Sequence, residues 1–213
     1  MLGKCLDSIS KQAEDKPDIE IIVVNNASTD KTKEIASSFP GVIVVDEPKK
    51  GIVNARHAGF IESSGDLIAN IDADTILTPG WIDKVLKEFS SNEKLVALSG
   101  PYIYYDLSKI HNFFIKVYYF IGYLSHIVNH FIFHGGAMLQ GGNFIVKRTA
   151  LEKIGGFDTN IIFYGEDTDI ARRIQKVGRV KFTFKLPMYT SGRRLKKEGV
   201  LTMALRYPTN YIW

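Results

Sequence analysis

Asp66, Leu67, Ile68, Ala69, Asn70 and Ile71, followed at once by Asp72, Ala73, Asp74 and Thr75, decide how the rest of the chain is read. The first six make a mostly apolar run suited to a buried strand, and two carboxylates one residue apart stand where it ends. On extended backbone such a pair points to opposite sides, so one can hold a ribose hydroxyl while the other reaches a cation. Magnesium and manganese are bound in this way, by one or two carboxylates with substrate phosphates completing the shell. A solvated turn is the plain alternative.

Towards the amino terminus, Ile52 to Ser63 has helical spacing, and Pro48 and Gly51 punctuate the loop before it. Val42 to Val45 reads as a strand. Ile19 to Val24 reads as a buried one, closed by the polar turn Asn25 to Asp30 and a helix to about Ser38. Leu2, Cys5, Leu6 and Ile9 fall three and four apart, so a helix comes first. Strands alternating with helices through short connections predict an α/β fold with a mostly parallel sheet flanked by helices. Ligands in such sheets gather at the carboxyl ends of strands. That places Asn25 to Asp30 beside Asp72 to Thr75 if their strands share the sheet.

Towards the carboxyl terminus, Thr78, Pro79 and Gly80 precede a helix from Trp81 to Phe89, and Leu95 to Ser99 reads as a strand. Phe113 to Phe133 is almost wholly apolar or aromatic, yet Asn112, Lys116, Tyr119, Tyr123, His126 and His130 recur in steps of four and three. This is one narrow polar stripe on a helix. Lys116, His126, Asn129 and His130 argue against a lipid-spanning segment, so an interfacial or groove-lining helix with a wide apolar face is expected. Gly141 to Lys147 and Arg179 to Lys185 read as strands, Thr149 to Ile154 and Glu166 to Val177 as helices.

With 213 residues, 45% hydrophobic and 23% charged, the chain suits one globular domain. Cys5 is the single cysteine and reads as a small apolar filler, which fits a reducing, cytoplasmic setting. The opening residues lack the apolar run of a signal peptide. Net charge is +4 but lopsided, with 11 Lys or Arg against one acid, Glu198, from Ile170 to Trp213. That half calls for an anion such as a diphosphate or an acidic membrane surface. No base-reading motif accompanies it, so no nucleic-acid partner is expected.

Glu166, Asp167 and Asp169 open a helix whose dipole favours acids, so capping accounts for them as well as chemistry does. Gly155, Gly156 and Phe157 lie just upstream, where glycines allow close approach of a ligand to backbone. Ser191, Gly192, Arg193 and Arg194 supply two guanidiniums able to grip phosphate oxygens.

In order and spacing these pieces resemble the family 2 inverting glycosyltransferases, which use the nucleotide-sugar-binding fold called GT-A. Cys5 to Gln12 looks like that family's first helix, and Ile21 to Asp30 like its second strand and base-binding turn. Lys50 to Arg56 resembles the glycine and asparagine segment before its next helix. Gly65 to Ile68 with Asp72, Ala73 and Asp74 resembles its metal-binding strand, and Gly155 to Asp158 with Glu166 to Asp169 its acceptor loop and catalytic acids. The resemblance implies one catalytic domain over residues 1–195, nucleotide-binding to about residue 100 and acceptor-binding beyond it, followed by a basic, aromatic tail at 196–213. It implies nucleotide-sugar contacts from Asn26, Ser28, Asn54, Asp72, Arg193 and Arg194, acceptor contacts from Gly155, Gly156 and Phe157, and Mn2+ or Mg2+ held by Asp74 with Asp72. Asp167 is then the general base and Glu166 its neighbour that positions the acceptor. The implied reaction is metal-dependent, inverting transfer of a sugar from a nucleotide-diphosphate sugar to a saccharide or lipid-linked acceptor, in cell-surface glycan or lipid-linked saccharide synthesis. The aromatic helix and basic tail would allow peripheral contact with the inner face of the cell membrane.

Against the family pattern, the chain opens directly on a helix, and Asn25 and Asn26 stand where an aspartate is common. No histidine lies near Thr190. An amino-terminally truncated domain, with a gap beside the strand carrying Asp72 and weak donor binding, is the expectation that follows. Two other readings use the same residues. Asp72, Ala73, Asp74 and Thr75 look like the nucleophile loop of haloacid-dehalogenase-type phosphatases, with Asp72 carrying the phosphate. A non-catalytic sugar- or membrane-binding fragment is the third.

Overall fold

In the computed structural model, which describes residues 1–133, 137–161 and 165–198, helix and strand alternate as the spacing predicts. The order is α1 (Leu2–Ala13), β1 (Ile21–Asn25), α2 (Thr32–Ser37), β2 (Val42–Asp46), α3 (Ile52–Glu62), β3 (Leu67–Ile71), β4 (Thr75–Leu77), α4 (Trp81–Ser90), β5 (Leu95–Ser99) and β6 (Tyr102–Tyr104). Then come α5 (Lys109–Phe133), β7 (Asn143–Lys147), α6 (Arg148–Lys153), α7 (Glu166–Ile174), β8 (Arg179–Phe182), β9 (Met188–Thr190) and α8 (Arg193–Glu198). The tail expected at 196–213 lies almost wholly outside the described residues, as do the side chains of His126, Asn129 and His130.

The central sheet runs β3-β7-β5-β8, and alternation along β7 shows how it is filled. Phe144 and Val146 point to one face, against Val53 and Phe60 of α3, Leu151 of α6 and Ile170 and Ile174 of α7. Ile145 points to the other, against Trp81, Ile82, Val85 and Phe89 of α4. Helices therefore cover both faces.

The strands differ from expectation in two ways. Both β7 pairings are antiparallel, and three of the six described pairings are parallel, so the sheet is less parallel than the connections suggested. The strands also fall into three sheets: β1-β2, the central four, and β4-β9-β6. β1 and β3 do not pair, so the Asn25 turn and the Asp72 turn are not on neighbouring strands of one sheet. β1 is half-buried rather than buried, because a two-stranded sheet leaves edges open.

A buried asparagine fastens the sheet near the site. Asn143 is fully enclosed; its Nδ2 donates to the carbonyls of Gly100 (3.0 Å) and Leu186 (3.1 Å), and its Oδ1 accepts from Trp81 Nε1 (3.2 Å). Asn143→Leu keeps the branching at Cγ, at a larger volume, and strands three buried polar groups. It should lower unfolding free energy by at least about 2 kcal/mol, read by chemical denaturation.

The stripe on α5 is turned inward where it matters. Asn112 gives Nδ2 to Tyr104 O (2.8 Å) and takes Tyr104 N–H on Oδ1 (2.9 Å). Tyr119 donates its hydroxyl to Gln140 Oε1 (2.7 Å) and accepts Tyr102 N–H (3.3 Å). These bonds satisfy backbone of β6 and tie α5 to the loop before β7. Among the described residues no helix is long and apolar enough to cross a membrane.

Candidate active site

Antiparallel pairing of β3 with β7 sets Ile71 opposite Asn143, and the next residues, Asp72 and Gly142, continue the contact through Asp72 N–H to Gly142 O at 3.4 Å. Ala73 and Asp74 form a turn between β3 and β4 rather than extended strand. Thr75 gives both its N–H (3.0 Å) and its hydroxyl (2.7 Å) to Asp72 O, which makes a tight turn. The strand-alternation argument for Asp72 and Asp74 is therefore replaced by a turn, yet the carboxylates still part ways. Asp72 reaches Arg56 Nη2 at 3.6 Å, and Asp74 faces Arg193 Nη2 at 3.9 Å.

β4 leads away from this turn and pairs with β9, Thr75 opposite Thr190, which brings Ser191 to Arg194 alongside. Ser191 Oγ (3.0 Å) and Gly192 N–H (2.5 Å) bond to the two oxygens of Asp106, fixing the start of α8. Arg193 and Arg194 are exposed there. α1 braces the turn from below: Ser8 Oγ accepts Leu77 N–H (3.0 Å), and Gln12 Nε2 donates to Thr78 O (3.0 Å). Cys5 is the buried filler expected, with its Sγ 3.7 Å from Asp72 O and its thiol pushed up to about 11 by burial.

The second acidic loop arrives on α7. Gly141 N–H donates to Asp167 Oδ2 (3.1 Å), and Thr168 N–H to Asp167 Oδ1 (2.8 Å). Burial and the Glu166 charge push the Asp167 carboxyl above the usual range, against those bonds and Arg56. Asp72 is raised too, by burial foremost, with Asp74 and Glu166 adding and Arg56 opposing. Both acidic loops thus meet at Gly141 and Gly142. A Cβ on Gly142, whose φ is +75°, would run into the Asp72 carboxyl and the Tyr102 hydroxyl.

Arg56 holds the junction. Its side chain is only 8% exposed, with Nη1 3.0 Å from Glu166 Oε1, Nη2 towards Asp72 and the guanidinium 5.2 Å from the Phe144 ring centroid. The sequence motif that contains Arg56 implied no role for it, and nothing there pointed to Tyr102, whose hydroxyl donates to Gly141 O (2.5 Å) and lies 3.4 Å from Asp72 Oδ2. A helical arginine five residues after Gly51 was the available signal. Glu166, expected to face the acceptor, is spent on Arg56.

Other expected contacts fare differently. Asn26 uses its amide on Glu47 O (3.0 Å), Lys49 O (2.7 Å) and Gly51 N–H (2.8 Å), so it shapes the approach to α3. Asn54 Nδ2 donates to Lys50 O (3.1 Å) at the same place, and Ser28 is exposed beyond β1. Gly155 and Gly156, at φ +79° and +75°, end α6, and Arg173 grips Gly156 O (2.8 Å) while paired with Asp169. Phe157 is buried against Phe60, with ring centroids 6.4 Å apart, so it is core rather than an acceptor contact.

The family model described as glycosyl transferase family 2 matches residues 1–155. The chain belongs to glycosyltransferase family 2. A second model, described as the N-terminal domain of galactosyltransferase, matches residues 124–195. The probable glycosyltransferase YdaM of Bacillus subtilis is 28% identical over 179 residues, 76% of this chain and 40% of that protein. The mannosyltransferase PcManGT from Pyrobaculum calidifontis, solved with GDP-Man and Mn2+, aligns with a TM-score of 0.69 at 18% identity, over 98% of this chain and 60% of that one. Glucosyl-3-phosphoglycerate synthase from Mycobacterium tuberculosis, solved with Mn2+, UDP and phosphoglyceric acid, aligns at 0.63 and 20%, over 95% and 70%. The chain thus spans less than half of YdaM, and its fold is the GT-A arrangement of these structures. Family 2 membership removes the phosphatase reading. Asp72 accordingly follows the third strand, not the first, and sits against Arg56 and Tyr102 rather than presenting a lone nucleophile.

Proposed function

We propose that the domain transfers a sugar from a nucleotide-diphosphate donor to an acceptor hydroxyl, with inversion at the anomeric carbon. The observation that carries this is the meeting of the two acidic loops at Gly141 and Gly142. Displacement with inversion needs one base on the acceptor side and charge relief on the leaving diphosphate. Asp167 supplies the base, its carboxyl held by Gly141 and Thr168 N–H groups. Asp72 holds the donor's ribose or sugar hydroxyls, and Arg193 neutralises phosphate. Glu166 acts through Arg56, keeping the donor and acceptor carboxylates in register.

The acidic turn fits a divalent cation, because it brings two carboxylates together in one tight turn, with the Asp74 charge acting on the buried Asp72 carboxyl. Two carboxylates plus diphosphate oxygens suffice for Mn2+ or Mg2+. When bound, such an ion stabilises negative charge on the departing diphosphate. The Mn2+ in the PcManGT and glucosyl-3-phosphoglycerate synthase structures supports this reading, and their GDP-Man and UDP support a nucleotide-diphosphate donor. A saccharide or lipid-linked acceptor is the proposed partner.

Calorimetric titration of UDP and GDP, with and without Mn2+, tests this. Mn2+ should tighten one of them, and Asp74→Asn should remove about tenfold or more of that gain. Equal affinity with and without the ion would refute the metal's role.

A further inference from the structure

α5 shows its apolar side to solvent. Ile110 is 68% exposed and Phe113 and Phe114 62% each, and Val117, Phe120, Ile121 and Leu124 are exposed as well. At about 100° per residue these seven occupy one arc of about 120°, while Asn112, Ile115 and Tyr119 lie opposite and inward. The face is continuous with an open cleft of ≈ 510 Å³ between α5 and the segment around Phe184, lined by Tyr102, Val117, Phe120, Phe184 and Pro187, with Lys116 its one charged residue.

We propose that this face is a docking surface for an anionic lipid bilayer, with α5 lying in the plane of the interface. Charge complementarity selects the occupant. α5 contains no acidic residue; Lys109 and Lys116 border one edge of the apolar arc, both exposed. Lys185 stands beside exposed Phe184, which packs on Tyr123 of α5 with centroids 5.6 Å apart. α8 lies alongside through Leu195, which joins Ile115 and Tyr119, and adds exposed Arg193, Arg194 and Lys196. Asp106, an acid at this edge, is bonded to Ser191, Gly192 and Lys196. Apolar side chains framed by cations match acyl chains beneath anionic headgroups. A second copy would bring like charges together, and residues 199–213 offer no acidic side chain to neutralise them. The exposed apolar face of α5 stands apart from the transfer reading, since none of its seven residues belongs to the two acidic loops, while Arg193 and Tyr102 are shared with the site.

The test is flotation of the full chain with vesicles of phosphatidylcholine alone or mixed equally with phosphatidylglycerol, and sedimentation without lipid. The chain should float with the anionic vesicles and leave them as salt rises. Phe114→Ser with Phe120→Ser should reduce partition about tenfold or more, while Tm and UDP or GDP affinity stay unchanged. Lys109→Gln with Lys116→Gln should lower binding to the anionic vesicles only. Flotation with neither vesicle overturns the proposal, as does a lipid-free dimer that the phenylalanine substitutions dissociate while vesicle binding is absent or unaffected. A Tm change in those variants would be resolved by the lysine pair, which leaves packing intact.

Discussion

Replacing Asp167 with asparagine will lower turnover by about 10²–10⁴-fold while leaving nucleotide-diphosphate affinity within about twofold. The substitution keeps the shape and one carbonyl oxygen for the Gly141 or Thr168 N–H, both of which now bond the carboxylate. What it removes is the proton acceptor. A kinetic assay with donor hydrolysis or transfer as readout, paired with calorimetry, separates the two effects. The wild type carries a second signature. Burial and the neighbouring Glu166 raise the Asp167 carboxyl above its ordinary 3.8, so protonation of the base extends to higher pH than for a free aspartate. The acid limb of kcat/KM therefore lies above 3.8, with activity falling as pH drops through it, and the Asp167→Asn variant should lack that limb. Undiminished turnover in the asparagine variant would leave the non-catalytic binding reading in its place.

The parts of this molecule that were legible are those that local spacing dictates. Leu2, Cys5, Leu6 and Ile9 give α1 its buried side, and the helix expected from Ile52 runs to Glu62. Asp72, Asp74 and Asp167 could be singled out as candidates because carboxylates at element ends stand out against apolar runs. Pairing between distant segments was not legible. β4, β6 and β9 have three residues each and exist only because Thr75 finds Thr190 and Tyr102 finds Met188. Arg56 showed no role in sequence, because its partners lie 16 and 110 residues away, at Asp72 and Glu166. Gly155, Gly156 and Phe157 show the opposite difficulty: a helix terminus and a core aromatic look the same in sequence as a ligand loop. The stripe on α5 was visible, but its direction was set by backbone groups of Tyr102 and Tyr104 that need partners.

Arg56→Met is expected to cost about 3–5 kcal/mol at neutral pH, or roughly 6–20 °C in Tm. Methionine keeps an unbranched apolar stem but gives up the guanidinium, and with it both ion pairs and the contact with the Phe144 ring. Glu166 is 13% exposed and loses the cation it is paired with, while Asp72 loses the group that opposes its burial. Without the guanidinium the Asp72 carboxyl, already raised by burial, holds its proton still more tightly in the folded chain than in the unfolded one. Folded-state values raised in this way favour folding below the ordinary carboxylate range, and the benefit disappears as pH rises through them. The deficit should therefore be greatest near pH 7 and shrink on acidification, which thermal denaturation across pH will read. Arg56→Lys restores a charge but cannot span both acids, so it should fall between the two. Pairing Arg56→Met with Glu166→Gln should cost less than the sum of the single changes by about 1–3 kcal/mol, because the second removes the charge that the first leaves uncompensated. If the methionine variant melts with the wild type at pH 7, the two acidic loops are held together by Gly141 and Gly142 alone, and the arginine is a bystander.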